Sequence, residues 1–189
     1  MSKEIVLYTA VYPYKNGKYK LTDVIYRFTN NIAEVYEKLK DLEDTYPDFY
    51  NWYTDKVTPE LNEDTGRRNI IFAISDVLVG ELIIKRLTGI AIIKNSQHER
   101  KICTFRVFSQ YKNQGVGVTL LQYCFKELGT TRPLISIAEP ALKGFNKYIA
   151  KYDWKLTEIL PSYYKTGITE YVFNGYLEDD LNKDEINKI

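Results

Sequence analysis

Tyr111-Lys112-Asn113-Gln114-Gly115-Val116-Gly117-Val118 separates a strand-like run from a strongly periodic helical segment. In that segment Val116, Leu120, Leu121, Cys124, Phe125 and Leu128 recur at the spacing of one buried helix face. Gly129 follows as a left-handed C-cap. The opening turn of such a helix leaves backbone N–H groups without intrahelical partners at the positive end of the helix dipole. That end is suited to a phosphate. Gly115 and Gly117 have no Cβ, so the chain can bend there and a diphosphate can approach the amides closely; Lys112 adds a nearby cation.

Spacing excludes two other phosphate-binding devices. A Walker loop needs Gly, four residues and then Gly-Lys-Ser/Thr, a string that does not occur here. A dinucleotide fold needs Gly-x-Gly-x-x-Gly, but no third glycine follows Gly117 at the required place. A bare Gly-x-Gly is also compatible with a strand-to-helix turn whose glycines serve geometry alone, so the flanks decide.

Those flanks read Thr104-Phe105-Arg106-Val107-Phe108-Ser109-Gln110-Tyr111, then Lys112-x-x-Gly115-x-Gly117, then Leu120-Leu121. The arrangement resembles the GNAT superfamily of acetyl-CoA-dependent N-acyltransferases, whose cofactor-binding helix opens with Arg/Gln-x-x-Gly-x-Gly/Ala. The resemblance spans residues 68 to 175. Lys112 stands where Arg or Gln is usual; it keeps the charge and loses the planar fork, which weakens the directionality of a phosphate contact.

The resemblance implies an α/β fold with a mixed, mostly antiparallel central sheet, a splayed parallel strand pair and flanking helices. One domain is expected over 1–189, with its core at 30–176 and a charged tail at 177–189. It also implies acetyl-CoA as co-substrate, with the backbone of Phe105 and Val107 meeting the pantetheine arm. Asn113, Gln114, Gly115, Val116, Gly117 and Val118 would meet the pyrophosphate, with Lys112 alongside. By period-2 alternation the Arg106 side chain faces opposite to Phe105 and Val107, toward the acceptor or toward solvent.

Composition fits a compact enzyme domain. With 189 residues, 44% of them hydrophobic, the chain can bury one substantial core, and no Pro/Gly/Ser-rich linker divides it. A net charge of +1 gives no global attraction to nucleic acid or to a membrane surface. Between Glu34 and Asp64, however, ten acidic residues stand against three lysines, a solvated helical rim or an attractor for a cationic amine. No apolar run approaches the roughly 20 residues of a membrane span, and Met1-Ser2-Lys3-Glu4 begins no secretory signal. The expected compartment is the cytoplasm. Cys103 and Cys124 sit in apolar segments outside metal-ligand spacing, and His98 lies in a charged turn, so no metal is expected.

Strands are expected at 5–12, 25–28, 69–74, 89–94, 101–108, 134–138, 155–160 and 170–176. A helix starting from an Asn31/Glu34 capping box should bury Ile32, Val35, Tyr36, Leu39 and Leu42. A second follows Pro47 with Phe49, Trp52 and Tyr53 inward, and another runs from Pro140 to Tyr152. Residues 77–87 form an extended hairpin arm that offers a homodimer contact.

The resemblance implies direct attack of a primary amine on the thioester. A strand amide near Val107 would be the oxyanion donor, and Glu139 the leading base. The tyrosine that many GNAT enzymes use as proton donor aligns with Ile149, which leaves Tyr164, Tyr163 and Tyr148 as candidates. The alternative to an N-acetyltransferase is a catalytically degenerate acyl-CoA-binding or protein-interaction module on the same fold.

Overall fold

Two apolar faces on every central strand dictate the architecture. Ile70, Phe72 and Ile74 alternate with Ile71 and Ala73, and all five are buried, so layers must cover the sheet on both sides. The computed structural model describes residues 7–12, 32–62 and 67–177. In chain order it contains β1 (Leu7–Tyr12) and α1 (Ile32–Leu39), then a 3-10 turn (Lys40–Asp44). Next come α2 (Phe49–Trp52), a π-helical turn (Tyr53–Val57) and α3 (Thr58–Asn62). The hairpin strands are β2 (Arg68–Val79), β3 (Leu82–Asn95) and β4 (Arg100–Val107). After α4 (Val116–Leu128) follow β5 (Ile135–Ala138), α5 (Glu139–Tyr152), β6 (Leu156–Pro161) and β7 (Thr169–Phe173).

The strands form an antiparallel sheet in the order β1-β2-β3-β4 and a second, also antiparallel, in the order β5-β7-β6. Among the described residues one parallel bridge, Lys101 to Leu134, joins them. There Ile102 N donates to Leu134 O at 3.0 Å and Leu134 N donates to Arg100 O at 2.9 Å. Beyond that point no ladder connects β4 to β5 among the described residues, and the two strands belong to separate sheets. The crossover between them is α4, as a parallel connection requires.

One core layer packs α4 and α5 against Ile71, Ala73, Ala91, Ile93, Ile135 and Ile137. The other packs α1 to α3 against Ile70, Phe72, Ile74, Ile90 and Ile92. The six apolar residues read from the periodicity of α4 are its buried residues, and Gly129 ends it at φ +64°. In α1, Val35 and Leu39 are buried, while Ile32 and Tyr36, with Leu42 of the 3-10 turn, pack at the margin.

Several boundaries differ from the periodicity. The helix after Pro47 widens into a π-turn ahead of Pro59, because proline has no N–H for the carbonyl four residues back. β7 ends at Phe173, three residues short of Tyr176, where Asn174 turns left-handed at φ +64°. The arm at 77–87 is the distal part of the β2–β3 hairpin, closed by a Gly80-Glu81 turn with Gly80 at φ +61°. β1 lies on the edge beside β2. Asn31, the expected strand at 25–28 and nearly all of the tail lie outside the described residues.

Candidate functional site

The turn ahead of α4 is shaped by two left-handed residues, Asn113 at φ +61° and Gly115 at φ +85°. A short 3-10 turn at Ser109–Tyr111 precedes it, and Gln114 Nε2 donates back to Gln110 O at 2.9 Å. The bond from Thr119 N to Gly115 O, 3.1 Å, is the first of the helix. Among the described residues none of the amides of Asn113 to Val118 donates to a backbone carbonyl. Left-handed and right-handed residues in succession turn such amides toward one concavity, the geometry of an anion nest. Lys112, Asn113, Gln114 and Gly115 are exposed, Val116 is buried, and Gly117 and Val118 are half-buried.

Gly117 has a second reason to be glycine. A Cβ there would lie 2.8 Å from the Tyr148 hydroxyl and 3.5 Å from Val107 Cγ2. Tyr148 is the buried residue of α5, and burial raises its hydroxyl's pKa, with Tyr152 adding to the effect. Ile149, one position on, packs at the margin of the same core layer.

Where β4 and β5 part, register fixes which groups face the gap. Phe108 N donates to Thr88 O at 3.0 Å, toward β3. In an antiparallel ladder successive residues alternate, so the peptide groups of Phe105 and Val107 point away from β3 and into the gap. On β5, Leu134 faces β4, and alternation aims the backbone of Ser136 and Ala138 the same way. The side chains of Phe105 and Val107 pack on the α4–α5 layer, Phe105 edge-on to Phe145 at 5.7 Å. Arg106 points to the opposite side, where it pairs with Asp41 of the 3-10 turn. Cys103 is the extra residue of a bulge in β4, and its Sγ accepts from Arg68 Nη1 at 3.3 Å.

On that opposite side a carboxylate is buried. Glu170 of β7 is 1% exposed, paired in register with Ala138 and Leu160, and neither carboxylate oxygen has a hydrogen-bond donor at normal geometry. Burial pushes its pKa up to about 7, against the smaller opposing influence of Ser136 and Tyr46. The Tyr46 hydroxyl is raised above its usual range by burial first, then by Glu170 and Tyr164, with the Ala138 backbone opposing. Tyr164 is 42% exposed as a residue, and burial around its hydroxyl, then Tyr163, raises its pKa, with Ser136 opposing. The Tyr46 and Tyr164 rings meet edge-on at 5.3 Å, and Tyr163 packs edge-on to Tyr164 at 4.7 Å. Lys165 Nζ ties this β6–β7 loop to the Asp44 carbonyl.

No family model matches this chain, and no curated protein matches it in sequence. Solved structures do. A protein described as an acetyltransferase of the GNAT family from Desulfovibrio desulfuricans aligns with 89% of this chain and 96% of its own, with a TM-score of 0.51 at 12% identity. The chain has the GNAT fold. Two other GNAT-fold structures align more loosely. A chimeric spermidine N-acetyltransferase involving Vibrio cholerae covers 89% of this chain and 93% of its own, at 13% identity and a TM-score of 0.47. The aminoglycoside 6'-N-acetyltransferase of Enterococcus faecium covers 80% and 96%, at 15% identity and 0.46.

The GNAT fold brings some of the expected site residues together and separates others. Phe105, Val107 and the 112–118 turn share the β4–α4 junction, and Tyr163 and Tyr164 sit at the opposite face. Glu139 is exposed on the first turn of α5, where a negative charge favours the helix dipole. Sequence reasoning missed Tyr46, Ser136 and Glu170. Glu170 had a signal: in Thr169-Glu170-Tyr171-Val172-Phe173 it shares a face with Val172, so a carboxylate occupies an inward position of a strand. Among the described residues no helix is long and apolar enough to cross a membrane.

Proposed function

We propose that the protein is an N-acetyltransferase that moves the acetyl group of acetyl-CoA to a primary amine by direct attack. The observation that carries this is the run of amides without backbone acceptors at the start of α4, next to strands that part after one bridge. The residues suit the cofactor: exposed main-chain donors with Lys112 alongside for a diphosphate, and gap-facing peptide groups of Phe105 and Val107 for an extended amide-bearing arm. When bound, acetyl-CoA supplies an activated acyl carbon and a thiolate leaving group.

The chain's own part is alignment, electrostatics and proton transfer. Alignment of two reactants can contribute roughly 7–11 kcal/mol in favourable cases. The Val107 amide, which faces away from β3, would donate to a developing oxyanion, a type of contact whose loss costs about 3–4 kcal/mol. Of the three tyrosines, Tyr164 suits proton donation best. It lies on the acceptor side, bordered by Ser136 and Glu170. Tyr148 instead directs its hydroxyl at Gly117.

Calorimetric titration with acetyl-CoA tests the assignment. Wild type should bind one equivalent, and Gly117→Glu, which puts bulk and negative charge into the turn, should weaken binding by more than about 100-fold, or ~2.7 kcal/mol. Equal affinity in the variant would place the phosphates elsewhere. Binding without transfer to any amine of a broad panel would favour the non-catalytic module.

A further inference from the structure

The cations flanking the acceptor side are already engaged, and the buried carboxylate is not. Arg106 pairs with Asp41, Arg68 pairs with Glu60 at 2.8 Å, and Lys165 rests on the Asp44 carbonyl. Among the described residues no ion pair reaches Glu170, although it is 1% exposed, and the Ser136 and Tyr46 hydroxyls beside it make no hydrogen bond of normal geometry to either oxygen. A buried charge without an ionic partner is costly, and carboxylates in such environments cluster at functional sites.

Building on the acetyl-transfer assignment, we infer that Glu170 seats the ammonium group of the acceptor and takes its proton, the acceptor being a primary alkylammonium that approaches along the exposed Tyr164. Three features specify that chemistry. The carboxylate provides the counter-charge. The Tyr46 and Tyr164 rings, packed edge-on at 5.3 Å, border the carboxylate, and Tyr164 is 42% exposed, so it offers an aromatic face to an approaching cation. Ser136 and Tyr46 approach the carboxylate and add oxygen atoms for the remaining ammonium hydrogens. The location also suits transfer, because Glu170 is in register with Ala138, whose peptide group faces the gap.

The proton balance closes. One ammonium proton passes to the Glu170 carboxylate, and the freed nitrogen lone pair forms the C–N bond as the C–S bond of the thioester breaks. The second nitrogen proton ends on the departing sulfur, and Glu170 returns its proton to solvent. A carboxyl with a pKa of about 7 is suited to accept and release a proton near neutrality. The groups facing it are Tyr46 from the loop before α2, Ser136 from β5 and Tyr164 from the β6–β7 loop, with Cys103 of β4 beside Tyr164. Both tyrosines stay neutral throughout that range.

The probe is n-butylammonium, with n-butanol as the neutral control. In protein carrying 13C-labelled glutamate, the Glu170 carboxyl resonance, assigned by its absence in Glu170→Gln, should titrate near neutral pH. Saturating n-butylammonium should lower its midpoint by one unit or more, and n-butanol should leave it in place. With acetyl-CoA present, Glu170→Gln should cut kcat/KM for n-butylamine by at least about 100-fold and erase its near-neutral ionisation. Coenzyme A affinity should stay within twofold. A Glu170 resonance indifferent to n-butylammonium overturns the inference, as does a wild type that binds both compounds without transfer, or a variant with an unchanged pH profile. Loss of acetyl-CoA binding with a responsive Glu170 would remove the acyltransferase assignment and keep the amine site.

Discussion

The turn before α4 and the cluster around Glu170 lie on opposite sides of the parting strands and are built from opposite materials. The turn uses main-chain amides of consecutive residues, made available by left-handed Asn113 and Gly115. The cluster uses side chains of Tyr46, Ser136, Tyr164 and Glu170, which come from two loops and two strands. A main-chain anion site needs a local conformation and tolerates change in most side chains. A side-chain cluster needs the whole fold, and one substitution removes its function. On the function proposed above, the two tasks would divide along this contrast, with a diphosphate held by geometry and an acceptor amine by chemistry.

The largest expected effect separating the regions is electrostatic. Glu170 has its folded pKa raised from 4.5 to about 7, so the native state binds more protons than the unfolded state between those values. Its contribution to stability is therefore fully present below pH 4.5 and lost as pH rises through 7. Glu170→Gln should stabilise the protein at pH 8 by about 3 kcal/mol and by nothing at pH 4. Urea unfolding at both pH values measures this. An equal effect at the two would mean that the carboxyl is not forced to ionise in a buried site.

A smaller effect tests whether the turn is as independent of side chains as the contrast claims. Gly117→Ala places a methyl 2.8 Å from the Tyr148 hydroxyl, and such overpacking typically costs about 1–3 kcal/mol. Tyr148→Phe removes the clashing atom and should recover most of that loss in a double-mutant cycle. If the two losses simply add, Gly117 is held as glycine by something other than Tyr148.

The smallest effect concerns the link between the two sides. Arg106 sits between Phe105 and Val107 in sequence, yet reaches across to Asp41. Both side chains are part-exposed, so a cycle of Arg106→Ala and Asp41→Ala should give a coupling of only about 0.2–1 kcal/mol. A coupling several times larger would show that the 3-10 turn is anchored to β4 by this pair and not by the apolar packing of Leu39 and Phe49.

Legibility followed the same division. The α4 helix, its cap and the meander of β2 to β4 were readable, because their buried faces are periodic within a short window: Leu120, Leu121, Cys124 and Phe125 on the helix, Ile70 to Ile74 on the strand. The bridge between Lys101 and Leu134 was not, since the point at which two strands stop pairing leaves no mark in local composition. The acidic stretch around α1 to α3 drew attention to exposed carboxylates, whereas the buried one lies on β7, more than a hundred residues later. Glu139 attracted notice by its place after an apolar strand, but that place is an exposed helix start. Glu170 becomes visible only when Val172 is known to face the core, and its neighbour Tyr46 only when the loop before α2 is folded over β5.

The central claim is that the main-chain donors ahead of α4 hold the cofactor's diphosphate. Amide NMR of uniformly 15N-labelled protein titrated with coenzyme A tests it most directly. The amide signals of Gly115, Val116, Gly117 and Val118 should move together on one saturable curve, with the downfield proton shifts of newly formed hydrogen bonds. Saturation of binding while those four signals stay in place would contradict it.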